Sequence, residues 1–111
     1  MKLISGDIAL IDLGDSPFGH EQAGLRPAIV LSIANGIALI VPLTSNTASL
    51  RFSGALPIAP SKGNGLSTTS VALAFHIRAV DARRMIRRVG ALDTKDRRVL
   101  NKLIRAITTI S

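Results

Sequence analysis

Two polar loops carry most of the side chains whose chemistry suits a ligand. The first spans residues 18–27 and holds His20 and Arg26; the second spans residues 42–46 and holds Thr44. An arginine guanidinium donates paired hydrogen bonds to phosphate and keeps its charge at physiological pH. A threonine hydroxyl binds a phosphate oxygen, and a histidine titrates near neutral pH, as a general acid or base requires. Each side chain also has a structural alternative: a surface ion pair, a turn residue and an exposed loop histidine.

A predicted β-hairpin brings two of these residues together. The apolar segments 28–33 and 37–43 flank an Asn-Gly pair at 35–36, which tolerates the positive φ angles of a type I′ turn. Partners across such a turn have residue numbers that sum to about 71, and the numbers of Arg26 and Thr44 sum to 70. We therefore expect both at the open end of one hairpin, within reach of one bound anion. Because both strands are apolar throughout, we also expect both of their faces to be covered.

The remaining segments predict a mainly β protein with a C-terminal helix. Short strands alternating with turn clusters are typical of a small antiparallel barrel. From Asp93 the apolar spacing becomes helical, with Asp93 or Thr94 as the N-cap. No linker or repeat divides the chain, so we expect one domain over residues 1–111. The other predicted elements are strands at 7–13, 52–58, 69–79 and 85–90 and a helical turn at 81–84.

Composition excludes several classes of protein and site. The chain of 111 residues has no cysteine and two histidines, so thiol chemistry and Cys- or His-rich metal sites are excluded. The net charge of +7 arises entirely within residues 78–111. This charge favours a polyanionic partner, with a solvated basic face as the alternative. The uncharged segment 27–50 contains two prolines and the Asn-Gly pair, which argues against a membrane helix. We find no signal peptide and expect a cytoplasmic protein without a membrane partner.

The residues of the first loop and the strand after it form a recognisable motif. Residues 19–32, Gly-His-Glu-Gln-Ala-Gly-Leu-Arg-Pro-Ala-Ile-Val-Leu-Ser, resemble the opening motif of MazF/PemK-like toxins. Further segments agree in order along nearly the whole chain. They are Gly6-Asp7-Ile8, residues 41–45, Asn64-Gly65-Leu66, residues 77–84 and Val89-Gly90 before the terminal helix.

The resemblance implies a fold, an activity and partners. It implies an SH3-like barrel, usually a homodimer, and a sequence-selective endoribonuclease neutralised by a cognate antitoxin. Such enzymes cut single-stranded RNA without metal or other cofactor, leaving 2′,3′-cyclic phosphate and 5′-hydroxyl ends. By motif position, Arg26 would stabilise the charge on phosphorus and Thr44 would hold the phosphate. The acid–base residue is unresolved, and His20 is the candidate.

The resemblance also assigns RNA-binding residues. Glu21 and Gln22 would line the RNA groove together with His20, with Ser45 and Arg78 beside it. From the residues alone, Glu21 is equally suited to orient His20 or to pair with Arg26.

One segment departs from the family pattern. Phe75 and His76 stand where the family often has Asp-Gln, and Leu73 stands where the PemK-like branch has an arginine. Either Arg26 and Thr44 suffice for catalysis, or His76 compensates, or activity is lost. We expect Phe75 to be a core residue, with base stacking as the alternative, and His76 to be a structural histidine within a strand. The competing functions are a CcdB-like gyrase poison and an inactive member that binds RNA or antitoxin.

Overall fold

Seven antiparallel strands and one C-terminal helix make up the computed structural model, which describes residues 2–14 and 24–109. The mainly β fold class and the terminal helix are confirmed. Three short 3-10 helices lie at Thr47–Arg51, Ala74–His76 and Ala82–Arg84. The strands are β1 (Asp7–Asp12), β2 (Leu25–Ala34), β3 (Ile37–Thr44), β4 (Ala55–Ile58), β5 (Ser70–Leu73), β6 (Arg78–Asp81) and β7 (Met85–Ala91), and the helix is α1 (Thr94–Thr108).

The strands form one strongly bent sheet in the order β4-β5-β3-β2-β1-β7, with β6 also paired to β3. The predicted barrel is thus a small barrel-like sheet rather than a closed one. β3 is central because it pairs with β2 along one edge and with both β6 and β5 along the other. Its first half, at Ile37–Ile40, pairs with β6, and its last two residues pair with β5.

The predicted turn between β2 and β3 is confirmed. Asn35 and Gly36 have φ angles of 55° and 76°, as a type I′ turn requires at both central positions. Beyond the turn the register shifts between Val30 and Ser32, so that Ala28 lies opposite Pro42. A β-bulge of this kind adds twist and bends the hairpin.

Two predictions about the strands are wrong. The long strand expected at 69–79 is interrupted by the 3-10 helix Ala74–His76, because β5 and β6 pair with different halves of β3. The β2–β3 hairpin is also not covered throughout. Near its turn, Ile33, Ile37 and Leu39 remain exposed, while Ala38 and Ile40 are buried in the core.

The core is divided between the two faces of the bent sheet. One cluster joins Ile8, Ile29 and Leu43 to Leu100 of α1, and the other joins Ile11, Val30 and Ile40. Helix α1 begins as predicted: the Asp93 side chain accepts a hydrogen bond of 2.7 Å from Asp96 N. Within the described part of the chain, no helix has the length and apolar character needed to span a membrane.

A buried asparagine in the loop after β4 links the two ends of the sheet. The Asn64 Oδ1 accepts hydrogen bonds of 3.0 Å from both Ser61 N and Leu66 N, and its Nδ2 donates to Ala59 O at 2.9 Å. Ala91 N of β7 donates to Gly63 O in the same loop at 2.9 Å. The loop thereby joins β4, at one end of the strand order, to β7 at the other.

Candidate functional site

The hairpin register brings Arg26 and Thr44 to one end of the sheet. Ala28 lies opposite Pro42, and two residues further along each strand are Arg26 and Thr44. Each also pairs with another strand, Arg26 with Ile11 of β1 and Thr44 with Val71 of β5. Four strands therefore position the pair, and its place at the open end of one hairpin is the one that the spacing around the Asn-Gly turn predicted.

An open groove of about 370 Å³ lies at this end of the hairpin. Its walls come from the start of β2, the end of β3 and the segment that leads into β5. Of the predicted site residues, Arg26 and Ser45 line this groove. Thr44 does not line it, although its neighbours Leu43 and Ser45 do. The lining residues are Leu25, Arg26, Pro27, Leu43, Ser45, Leu66, Ser67, Thr68 and Ser70.

The Thr44 hydroxyl is held in place by the loop that follows it. The side chain is 8% exposed, and its Oγ1 accepts a hydrogen bond of 3.2 Å from Asn46 N. The Asn46 side chain in turn accepts from Ala48 N at 3.1 Å, which caps the 3-10 helix Thr47–Arg51. A hydroxyl that accepts one hydrogen bond still has its own proton to donate. Thr44 is thus suited to donate to an anion at the margin of the groove.

Sequence reasoning missed the wall that precedes β5. Ser67, Thr68 and Ser70 add hydroxyl groups to the groove opposite the hairpin. The Ser70 hydroxyl donates to Thr68 O at 3.3 Å, so part of this wall is ordered by its own hydrogen bonds. The signal available in the sequence was the run of four hydroxyl residues at 67–70 directly before an apolar strand.

None of the residues that line the groove is Asp or Glu. Residues 22–80 include no Asp or Glu but do include Arg26, Arg51, Lys62 and Arg78. Every segment that lines the groove lies in this range. The lining therefore carries the positive charge of Arg26 and no negative charge, and Asp12 of β1 pairs with Leu25 at the edge of the groove.

Arg78 lies apart from the groove. Half-buried in β6, it pairs with Ile40 of β3, four residues along that strand from Thr44. At the rise of an extended strand this separation is about 13 Å. Arg78 therefore lies outside the groove, and its contact with RNA stays a prediction.

The structure corrects both predictions for the Phe75-His76 pair. Phe75 is 38% exposed rather than a core residue, and His76 is half-buried in a 3-10 helix rather than within a strand. The rings contact each other edge to face, with centroids 4.5 Å apart. The cause is the break between β5 and β6, which turns this segment out of the sheet.

Three predicted site residues lie outside the described part of the chain. His20, Glu21 and Gln22 fall within the interval 15–23, so their placement relative to the groove stays a prediction. Across residues 2–14 and 24–109, no group of three or more His, Asp or Glu side chains is arranged to hold a metal ion.

A second open cavity, of about 580 Å³, has a different electrostatic character. Its lining includes Asp12, Asp81 and Arg83. The Arg83 guanidinium, 2.7 Å from the Asp81 carboxylate, lowers the pKa of Asp81 to about 2 by hydrogen bonding. Two carboxylates, of Asp12 and Asp81, offset the charges of Arg83 and Arg84, so the lining of this cavity has no net positive charge, unlike that of the groove.

Comparison with known proteins agrees with the fold. The sequence model of the family described as "PemK-like, MazF-like toxin of type II toxin-antitoxin system" matches residues 4–108. The chain is similar in fold to MazF from Deinococcus radiodurans, with 24% identity over 95% of this chain and 94% of that chain, at a TM-score of 0.77. It is also similar to an endoribonuclease from Mycobacterial species in complex with its cognate antitoxin, with 16% identity, 95% and 93% coverage and a TM-score of 0.74. A third similar structure is Mycobacterium tuberculosis toxin MazF-mt6, with 16% identity, 90% and 93% coverage and a TM-score of 0.69.

Proposed function

Because the chain belongs to the PemK-like, MazF-like toxins of type II toxin–antitoxin systems, we propose that it is a sequence-selective, metal-independent endoribonuclease. Its substrate is single-stranded RNA, and a cognate antitoxin neutralises it. The groove at the open end of the β2–β3 hairpin carries this proposal. It combines the Arg26 guanidinium with several hydroxyl groups, and none of its lining residues is acidic.

The proposed reaction is an internal transesterification. The ribose 2′-oxygen attacks the adjacent phosphorus, the bond from phosphorus to the 5′-oxygen breaks, and the products are a 2′,3′-cyclic phosphate and a 5′-hydroxyl. Negative charge builds on the phosphate oxygens, and Arg26 offsets it without a change in its own protonation. Thr44 donates a hydrogen bond to the same phosphate.

The reaction also needs two proton transfers. The 2′-hydroxyl must lose a proton and the leaving 5′-oxygen must gain one. We assign one of these transfers to His20. Since residues 22–80 have no carboxylate, Glu21 is the nearest acidic residue along the chain to Arg26.

The test is cleavage of a long RNA by the purified protein in EDTA, with chemical identification of the fragment ends. We expect discrete cuts with cyclic phosphate ends, and we expect Arg26→Ala to slow cutting by at least about 100-fold. Arg87→Ala is the matched control, because it removes one exposed arginine from β7, away from the groove.

Four results would contradict this assignment. Full cleavage by Arg26→Ala would remove Arg26 from the mechanism, and equal losses in both variants would indicate a general effect of charge. Binding of RNA without any cut would favour the inactive member, for which Phe75 in place of the family's acidic residue is the motivating feature. Gyrase-dependent DNA breaks without RNA cleavage would favour the CcdB-like poison.

Two protein partners complete the proposal. A second copy of the chain is one, supported by the exposed Ile33, Ile37 and Leu39 near the β2–β3 turn. Light scattering should give a mass of twice the 11.7 kDa chain. The cognate antitoxin is the other, supported by the similar mycobacterial endoribonuclease that is solved with its antitoxin. Because we propose RNA as the substrate, we also propose that the protein acts in the cytoplasm.

A further inference from the structure

Two partly exposed phenylalanines form a surface patch beside the groove. Phe52 is 46% exposed and Phe75 is 38% exposed, with ring centroids 5.7 Å apart in an edge-to-face contact. The Arg51 guanidinium lies 4.7 Å from the centroid of the Phe52 ring, and the His76 ring contacts Phe75. We refer to Arg51, Phe52, Phe75 and His76 as the aromatic patch. Phenylalanine is mostly buried in folded proteins, and this chain has only three, so exposure of both described ones is unusual.

The backbone beneath the aromatic patch is fixed by hydrogen bonds. Ala74 N donates to Gly54 O at 3.0 Å, and Phe52 N donates to Ser49 O at 3.1 Å. Gly54 has a φ of +87°, and a Cβ at this position would lie 3.3 Å from Cδ1 of Phe75. Glycine thus allows the chain to turn closely against the ring. A surface ordered before binding loses less conformational entropy when a ligand arrives.

Strand β5 connects the groove, which Ser70 lines, to the 3-10 helix that holds Phe75 and His76. Val71 of β5 pairs with Thr44, and Phe75 follows four residues later through the 3-10 helix Ala74–His76. At strand and 3-10 rises this separation is about 11 Å. Arg78 follows three residues after Phe75. A ligand that extends from the groove along β3 therefore meets aromatic rings and a second arginine.

The chemistry of the aromatic patch favours an unpaired nucleobase. Flat exposed rings stack on bases, and an adjacent guanidinium adds attraction to both the base and the phosphate backbone. None of the four residues of the aromatic patch is acidic, and Arg51 adds positive charge beside the rings. A purely apolar contact with another protein would use the two rings but would leave Arg51 and Arg78 without a role, which favours RNA as the ligand.

We propose that Phe75 stacks on a base of single-stranded RNA next to the phosphate bound in the groove, with Phe52 holding the Phe75 ring through their edge-to-face contact. This inference rests on the proposed function for the identity of the ligand. The aromatic patch is a positioning and affinity site, which fixes where the RNA chain lies relative to Arg26 and Thr44.

The test measures binding of a single-stranded 2′-O-methyl RNA oligonucleotide. This probe lacks the attacking 2′-hydroxyl, so binding is measured whether or not the protein cuts RNA. We expect Phe75→Leu to weaken binding by about 5- to 100-fold, the range found when stacking on one base is lost. Phe75→Tyr keeps an aromatic ring and should bind within about 3-fold of the unaltered protein. Ile86→Leu is the control, because it alters an exposed apolar side chain on β7.

A second measurement removes the base instead of the ring. An abasic nucleotide is placed at each position of the oligonucleotide in turn, and affinities are compared for the unaltered protein and Phe75→Leu. If the ring stacks on a base, one abasic position weakens binding by the unaltered protein and has little further effect on the variant. Fully additive losses at every position would overturn the proposal, as would unchanged binding by Phe75→Leu.

The outcomes separate this inference from the proposed function. If the protein cuts RNA but Phe75→Leu binds the probe normally, the stacking site is wrong and the ribonuclease stands. If no RNA is cut but one abasic position weakens binding by the unaltered protein and not by Phe75→Leu, the stacking site stands and the catalytic proposal fails. Loss of self-association or antitoxin binding in Phe75→Leu, with normal RNA binding, would identify a protein contact and overturn the stacking site.

Discussion

Thr44 shows how one side chain can serve both the fold and the proposed chemistry. Its oxygen accepts a backbone hydrogen bond that begins the loop after β3, and its proton is the part suited to a ligand. Its near-complete burial restricts the hydroxyl to a fixed direction. Arg26, in contrast, is exposed at the start of β2 and contributes charge. The two residues therefore predict different mutational effects.

Replacement of Thr44 by Val should separate these two roles. Val has nearly the same volume but no hydroxyl, so we expect cleavage to fall by about 100-fold, as for loss of one donor to a developing charge. The lost hydrogen bond from Asn46 N should lower the free energy of unfolding by about 1 kcal/mol. Thr44→Ser keeps the hydroxyl and should retain most of the cleavage rate. If Val and Ser variants cut equally fast, Thr44 has only a structural role.

The ion pair between Asp81 and Arg83 gives a prediction for pH. Hydrogen bonds from Arg83 lower the pKa of Asp81 from 3.8 to about 2 in the folded protein. A lowered carboxyl pKa contributes stability above pH 3.8, and that contribution is lost as the pH falls through about 2. An NMR titration of the Asp81 carboxyl should show a midpoint near 2, which returns towards 3.8 in Arg83→Ala. An unchanged midpoint in that variant would assign the shift to another group.

At the scale of elements, several motif residues shared with the family serve structure. Gly6 N donates to Val30 O, and Gly6 O accepts from Leu92 N, so this residue connects β2 to the segment before α1. Asp7 is buried, and its carboxylate accepts from Ile4 N and Arg88 Nε. The Asn64-Gly65-Leu66 motif likewise forms the loop that contacts β7. Resemblance to a family thus identifies residues that hold the sheet in shape as well as residues of the groove.

Asn64 should be a major contributor to stability. Its side chain makes three hydrogen bonds to backbone groups while 1% exposed, and alanine would leave several of these groups buried without a partner. We expect Asn64→Ala to lower the free energy of unfolding by about 3 kcal/mol. Urea denaturation measures this change, with Asn101→Ala on the exposed face of α1 as the control, expected within about 0.5 kcal/mol.

Gly90 allows an independent test of the contact between the Asn64 loop and β7. A Cβ on Gly90 would lie 2.4 Å from the carbonyl of Asn64, which is backbone and cannot move without the loop. Gly90→Ala should therefore destabilise the fold as well. Stable variants at both positions would show that the loop does not hold β4 to β7.

At the scale of the whole molecule, the excess positive charge lies in a different part of the chain from the groove. The ten basic residues of 78–111 are all exposed except the half-buried Arg78, and five of them lie on α1. In the described part of the chain, two of the ten form ion pairs, Arg83 with Asp81 and Arg88 with Asp7. The helix therefore presents a solvated basic face, while the groove lies between β2, β3 and the segment before β5. The residues suited to attract an anionic partner over a distance are thus different from the residues that line the groove.

We expect the basic face of α1 to attract the acidic part of an antitoxin. Affinity of the complex should fall as salt rises, because exposed charges are screened beyond about 8 Å at physiological ionic strength. Reversing the charge at Arg98 and Lys102 should weaken the complex and reduce its salt dependence, without loss of RNA cleavage. Titrations by calorimetry at several salt concentrations measure both effects. Affinity that does not change with salt would exclude a contact led by charge.

The sequence by itself determined the local structure and the principal pair of the candidate site. The Asn-Gly turn, the capped helix from Asp93 and the joint position of Arg26 and Thr44 follow from short-range rules. Turn geometry, capping and strand register depend on residues close along the chain, which is why these predictions were correct. The family was also identifiable from ordered motifs.

Only the tertiary structure decided which surfaces meet and which stay exposed. The break between β5 and β6, the exposure of Phe75 and the Ser67–Ser70 wall of the groove depend on how β3 divides its edge between two strands. The link from Asn64 to β7 joins residues far apart in sequence. Such contacts reflect the packing of the whole sheet, and no local pattern of apolar and polar residues specifies them.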